Sequence, residues 1–211
     1  MAIHKDNLQW LEQADRPFES IPIQVIEELL IKSPALDVSA RSQGFINRFH
    51  IKNSLDAEAL FEHLTEGVDV LKPEGSRCAS SADEVETLLR SSNLFNGPFW
   101  NNGEFLLFTV SSETKTQVKR FVDEIDSSNS RLGKQKAELV KIKFQMVDSL
   151  FRHIRNSFAH GSFQTKIVQG TPYLVLQDGN TKGKMSARMV LKTERLEAWI
   201  TDFYQFQKIG I

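Results

Sequence analysis

One cysteine, Cys78, stands in 211 residues. It excludes a disulfide within the chain and any zinc site built on cysteine pairs. Cys78 itself reads as a buried or half-buried small side chain. The five histidines are His4, His50, His63, His153 and His160, and none forms a His-x-x-x-His or His-Glu-x-x-His pair. No metal is therefore expected. There is no Walker-type glycine loop and no GxGxxG, so the common cofactor-cradling turns are missing and no cofactor is expected. No apolar run approaches the ~18–20 residues that span a bilayer, and the start, "MAIHKDNLQW", lacks the apolar core of a signal peptide. The expectation is a cytoplasmic protein with no membrane association.

Net charge is also nearly absent, at −1, but its distribution is not even. Residues 131–211 hold 14 Lys and Arg against 6 Asp and Glu, while residues 1–130 hold 12 against 21. A basic half suits an anionic partner such as RNA. A sequence-specific DNA reader would want a short basic recognition helix. The basic stretch "VKIKFQ" is instead embedded in an apolar helical pattern.

Helical periods dominate most of the chain. Short helices are expected over 21–32, from Asp56 through Val68, and after a capping box formed by Ser81 and Glu84. The connector "SSNLFNGPFWNNGEF" carries Phe95, Phe99 and Trp100, which are expected to close over the core. Phe105 to Val110 fits a short strand or the start of a helix, and 113–126 fits a helix. The longest periodic segment follows. Val140, Phe144, Val147, Phe151, Ile154 and Phe158 recur at spacings of four and three, which predicts a central helix over 134–160 buried on a broad face. Gly161 stands where a left-handed terminating residue is expected. The period then drops to two over 163–168, 173–178 and 185–191, predicting three short strands, and Thr193 opens a last helix. The fold expected is mainly α: a helical bundle with a long central helix and a small antiparallel meander, at about 163–191, before the C-terminal helix. Residues 1–112 read as an N-terminal helical part, integral or separate, and 113–211 as the core.

The chemistry-bearing stretch is "RHIRNSFAHG", residues 152–161, at the end of the central helix. Residues four apart share a helix face, so Asp148, Arg152, Asn156 and His160 form one polar line beside the apolar stripe. Arg155 lies one position off it and reaches the same anion as His160 only if the last turn tightens. These are parts for cleaving RNA without metal. RNA carries its own nucleophile in the 2′-hydroxyl. An imidazole can move a proton near neutral pH, and a guanidinium can grip a phosphate and meet developing charge. An amide can fix a histidine tautomer or the phosphate. A cation-rich helix end also suits the negative end of the helix dipole, so spacing alone leaves both readings open.

"RNSFAHG" resembles the signature of the HEPN superfamily: an arginine, a polar residue, a few further residues and a histidine. Arg155, Asn156 and His160 match it in order, at the end of a long helix, with a hairpin-like insertion and a closing helix after it. The likeness covers about 113–211. It implies a helical-bundle domain that usually forms a homodimer, with the two motifs meeting at the interface. It further implies a metal-independent endoribonuclease of toxin–antitoxin, abortive-infection or antiviral systems, with an antitoxin or other partner protein in some of them. The catalytic residues implied are Arg155, Asn156 and His160. Arg152 and His153 are extra to the motif: Arg152 is expected to grip a neighbouring phosphate of the RNA, and His153, pointing elsewhere on the helix, to be structural. The other class that the resemblance admits is an inactive HEPN-like module that binds or scaffolds a partner protein, nucleotide or RNA.

Overall fold

The computed structural model describes residues 21–34, 49, 51, 54–94, 103–112, 119, 122, 123 and 131–205. The connector carrying Phe95, Phe99 and Trp100 lies outside the described residues, as does most of the helix expected over 113–126. Of that helix, Lys119, Val122 and Asp123 are described and helical.

The first helix, α1, spans Ile23–Ile26 after Pro22 and runs into a π-helical turn over Glu27–Ile31. Proline just before a helix places its missing N–H where no helical bond is needed. α2 covers Ser54–Leu64, and Asp56 sits in its first turn. α3 covers Ala82–Ser91. Its N-cap Ser81 accepts the Glu84 N–H at 3.3 Å. Glu84 reaches back to the Ser80 N–H at 2.6 Å, so the box expected at Ser81 closes one residue further out.

The long helix, α4, spans Arg131–Ala159, 29 residues. Val140, Phe144, Val147, Leu150, Phe151, Ile154 and Phe158 are all buried, the face that the spacing of four and three dictates. Gly161 ends it with φ of +63°. The Gly161 N–H donates to Phe158 O at 3.1 Å and the Ser162 N–H to Ser157 O at 2.8 Å. These two bonds satisfy carbonyls that a helix end otherwise leaves bare. A Cβ at Gly161 would meet nothing within 4 Å, so a side chain there costs only its left-handed backbone. Gly161→Ala is expected to destabilise the fold by about 1 kcal/mol. Calorimetry should read that as a thermal midpoint lower by about 2–4 °C; an unchanged midpoint would mean the exit turn does not carry this stress.

A mixed five-stranded sheet follows the order β1-β2-β5-β4-β3, where β1 is Asp69–Val70, β2 Phe105–Phe108, β3 Phe163–Val168, β4 Thr171–Gly179 and β5 Met185–Lys192. β1 runs parallel to β2, and every other neighbour is antiparallel. Gln169 and Gly170, both at positive φ, turn β3 into β4, the geometry that a two-residue hairpin favours. The closing helix α5 spans Thr193–Gln205. Alternation along the strands sorts side chains into two cores. Leu106, Phe108, Leu174, Leu176, Ala187 and Met189 pack with α4, α2 and α5 on one face. Phe105, Leu107, Val175 and Val190 pack with Val85 and Leu89 of α3 on the other.

The expected helical bundle with a small meander is thus corrected: the strands form the middle layer, with helices on both faces. The meander over 163–191 is present, but β2 joins it through β5, pairing Phe108 with Ala187, and β1 extends it. Local periodicity cannot report a pairing between segments so far apart in the chain. One sign was readable. "LVL" at 174–176 and "MVL" at 189–191 are continuously apolar, the mark of strands covered on both faces rather than one.

The centre of the sheet also holds a buried cation. Arg188 of β5 donates to the Leu94 carbonyl and, at 3.1 Å, to Gln177 Oε1. Burial pushes its guanidinium down to about 9, which still leaves it charged at neutral pH. Among the described residues no helix is long and apolar enough to cross a membrane.

Candidate active site at the end of the long helix

The last turns of α4 are locked by Phe151, Ile154 and Phe158, and Phe158 meets the Phe163 ring of β3 edge-on at 4.9 Å. That anchoring leaves Arg152, Arg155 and Asn156 half-buried and His160 exposed. Arg152, Asn156 and His160 follow one another at four-residue steps, as the polar line requires. The His160 N–H still donates to Asn156 O at 3.0 Å, so the final turn stays α-helical up to the glycine. Arg155 and His160, five residues apart, therefore point about 140° away from each other around the axis. One chain does not aim both at one point.

Behind these residues lies a buried polar chain. His153, one position from Arg152, is buried against β2 and β4. Its Nδ1 is 2.7 Å from Asp178 Oδ2, and its Nε2 is 2.9 Å from the Thr109 carbonyl and 3.2 Å from Thr109 Oγ1. Asn156 Nδ2 donates to the same Asp178 oxygen at 3.1 Å. Arg155 Nη1 in turn donates to Asn156 Oδ1 at 3.3 Å. The order is Thr109, His153, Asp178, Asn156, Arg155, running from the sheet out to the motif. Arg155 Nε is buried and has no hydrogen-bond partner among the described residues. Arg152 Nη2 donates to Ser149 Oγ at 3.3 Å, which also accepts the Ser111 N–H at 3.1 Å.

The helix end carries an exposed imidazole at His160, Arg152 on the same polar line, and Arg155 on a different face with one guanidinium N–H that has no partner among the described residues. The negative end of the helix dipole favours this density of cations, and the carboxylate of Asp178 is already engaged by His153 and Asn156. Sequence reasoning did not find Asp178 or Thr109. Asp178 occupies the position after Gln177 in a strand, and only the alternation that turns Leu174 and Leu176 toward α4 hints that it faces the same way. Among the described residues no group of three or more His, Cys, Asp and Glu stands where it could hold a metal.

A concavity of about 410 Å³ elsewhere in the protein is lined by His63, Glu104, Lys192, Arg195 and Asp202 among others. Several of its charges are paired within the protein. Arg195 grips Glu104 with two bonds of 2.7 Å, the Lys192 N–H donates to Glu104 Oε1 at 2.8 Å, and His63 meets Asp202 at 2.8 Å. These pairs join α2, β5 and α5 to the start of β2.

A family model described as HEPN pEK499 p136 matches residues 94–208. That span takes in β2, all of α4, the meander and α5. No curated protein and no solved structure matches the chain.

Proposed function

The chain belongs to the HEPN pEK499 p136 family, and from that premise we propose that it is a metal-independent endoribonuclease acting as a homodimer in the cytoplasm, in a toxin–antitoxin or antiviral setting. The observation that supports this reading is that the last turns of one helix carry an exposed His160 and an Arg155 whose buried Nε has no hydrogen-bond partner among the described residues. HEPN domains commonly dimerise. The divergence of Arg155 and His160 within one chain makes a two-fold arrangement the economical one, because it sets Arg155 of one copy against His160 of the other.

In such a site His160 of one copy takes the proton of the RNA 2′-hydroxyl. The 2′-oxygen bonds to phosphorus, the bond from phosphorus to the 5′-oxygen breaks, and the leaving 5′-oxygen takes its proton from that same imidazole, now an imidazolium. Arg155 holds the phosphate as its charge builds, and Arg152 grips a neighbouring phosphate. Asn156 completes the motif by holding Arg155. The products are a 2′,3′-cyclic phosphate and a 5′-hydroxyl.

The test is purified full-length chain with mixed RNA in EDTA. Cleavage with cyclic-phosphate ends is expected, and Arg155→Ala should lower it by roughly 10²–10³-fold. Products bearing 5′-phosphates would replace this mechanism with attack by water. No cleavage of any RNA would leave a binding or scaffolding module as the reading.

A further inference from the structure

We infer that His153 and Asp178 form a buried imidazolium–carboxylate pair whose task is to position Asn156 and, through it, the Arg155 guanidinium. The argument is one of hydrogen-bond valence. A carbonyl oxygen only accepts, so the contact of His153 Nε2 with Thr109 O at 2.9 Å requires a proton on Nε2. On the other side of the ring Nδ1 stands 2.7 Å from a carboxylate oxygen. Two lone pairs do not approach that closely, so this contact needs a proton as well. A separation of 2.7 Å is the length of a charge-assisted bond. The same Asp178 oxygen accepts the Asn156 amide N–H, and two donors on one oxygen favour the ionised carboxylate over the acid.

The groups that face the pair come from three elements. They are Thr109 at the end of β2 with the Phe108 ring at 6.1 Å, Asp178 on β4, and Asn156 on α4 itself. Among the described residues Asp178 supplies the one opposite charge that contacts the ring, and both partners are shielded from water.

The consequence for Asn156 is directional. With its N–H committed to Asp178, its amide cannot rotate, and Oδ1 is held outward where Arg155 Nη1 meets it. The guanidinium is thereby steadied by one edge while Nε remains for another acceptor. Asp178, His153 and Asn156 are positioning residues acting through Arg155. That last step rests on the nuclease reading; the proton count at His153 does not.

The two are tested separately. Full-length chain labelled with ¹⁵N-histidine, examined by long-range ¹H–¹⁵N correlation at pH 7.5, should show both ring nitrogens of His153 protonated. In Asp178→Asn the carboxylate is gone, and His153 should turn neutral with its proton on Nε2. A neutral His153 ring in the unsubstituted chain would overturn the ion pair, whatever the variant does. If the unsubstituted chain cleaves RNA, Asp178→Asn should lower kcat by up to about 10²-fold with a smaller change in KM, the signature of a misplaced group. Unaltered kcat in a folded Asp178→Asn chain would overturn the positioning role. A chain with no cleavage at all would reject the nuclease reading and leave the proton count decided by the spectrum.

Discussion

His160→Ala is expected to lower RNA cleavage by about 10²–10⁴-fold, the loss that follows removal of a positioned general acid or base, while the protein melts where it did before. The two halves of this expectation have separate causes. The His160 ring is exposed and makes no hydrogen bond among the described residues. The bond His160 does make, to Asn156 O, uses its backbone N–H, which alanine keeps. What stability is lost is the attraction of a partly charged ring to the helix end, about 0.3–1 kcal/mol when protonated. A chain that folds normally and cannot cut is therefore the expected phenotype, measured by fluorescence-labelled RNA cleavage beside calorimetry. The proposed two-fold site adds a sharper form. Chains carrying His160→Ala and chains carrying Arg155→Ala, each inactive alone, should regain cleavage when mixed and allowed to exchange, because a mixed dimer restores one Arg155 opposite one His160. Mixtures that stay silent, from partners that do exchange, would exclude a site shared in this way.

Phe151→Ala should have the largest effect on stability, about 3–5 kcal/mol. Phe151 is 1% exposed. Its ring lies 5.8 Å from that of Phe49, 6.0 Å from Trp199 and 5.9 Å from Phe203, the last two edge-on. Trp199 and Phe203 belong to α5, so this side chain is where the long helix is joined to the end of the chain. Alanine leaves a cavity among rings that cannot slide to fill it. For a domain of this size each kcal/mol moves the thermal midpoint by about 2–4 °C, so a drop of roughly 6–20 °C is expected. A shift below a few degrees would show that the aromatic cluster repacks, and that α4 and α5 are held chiefly elsewhere.

The parts of the structure that were legible beforehand are those that a local pattern determines. The four-and-three spacing from Val140 to Phe158 is itself the buried face of α4. Gly161 is read from its place after the last apolar residue, and the turn at Gln169–Gly170 from two strands that it alone can join. The sheet was not legible in full, because β1 is two residues long and the pairing of β2 with β5 is set by tertiary contact. The motif was legible as a string of residue types in order. Its support was not. Asp178 becomes a partner of His153 and Asn156 only once β4 has crossed beneath α4, and nothing within a few residues of either histidine or aspartate announces that meeting.

The strand order β1-β2-β5-β4-β3 also sets a timetable. β5 occupies the centre, yet it is the last of these five strands to leave the ribosome, and the β2 edge that awaits it is exposed until then. Helix α4 and the β3–β4 hairpin can assemble from neighbouring residues, but β2 has no antiparallel partner until Met185–Lys192 is made. Closure across so long a stretch of chain is slow relative to helix formation. Folding is thus completed from the C-terminal side, and the buried relay behind the motif closes in the same event, since Thr109 at the end of β2 reaches His153 only when the two halves of the sheet have joined. A nascent chain would carry its motif helix well before the residues that back it, Asp178 and Thr109, were in place.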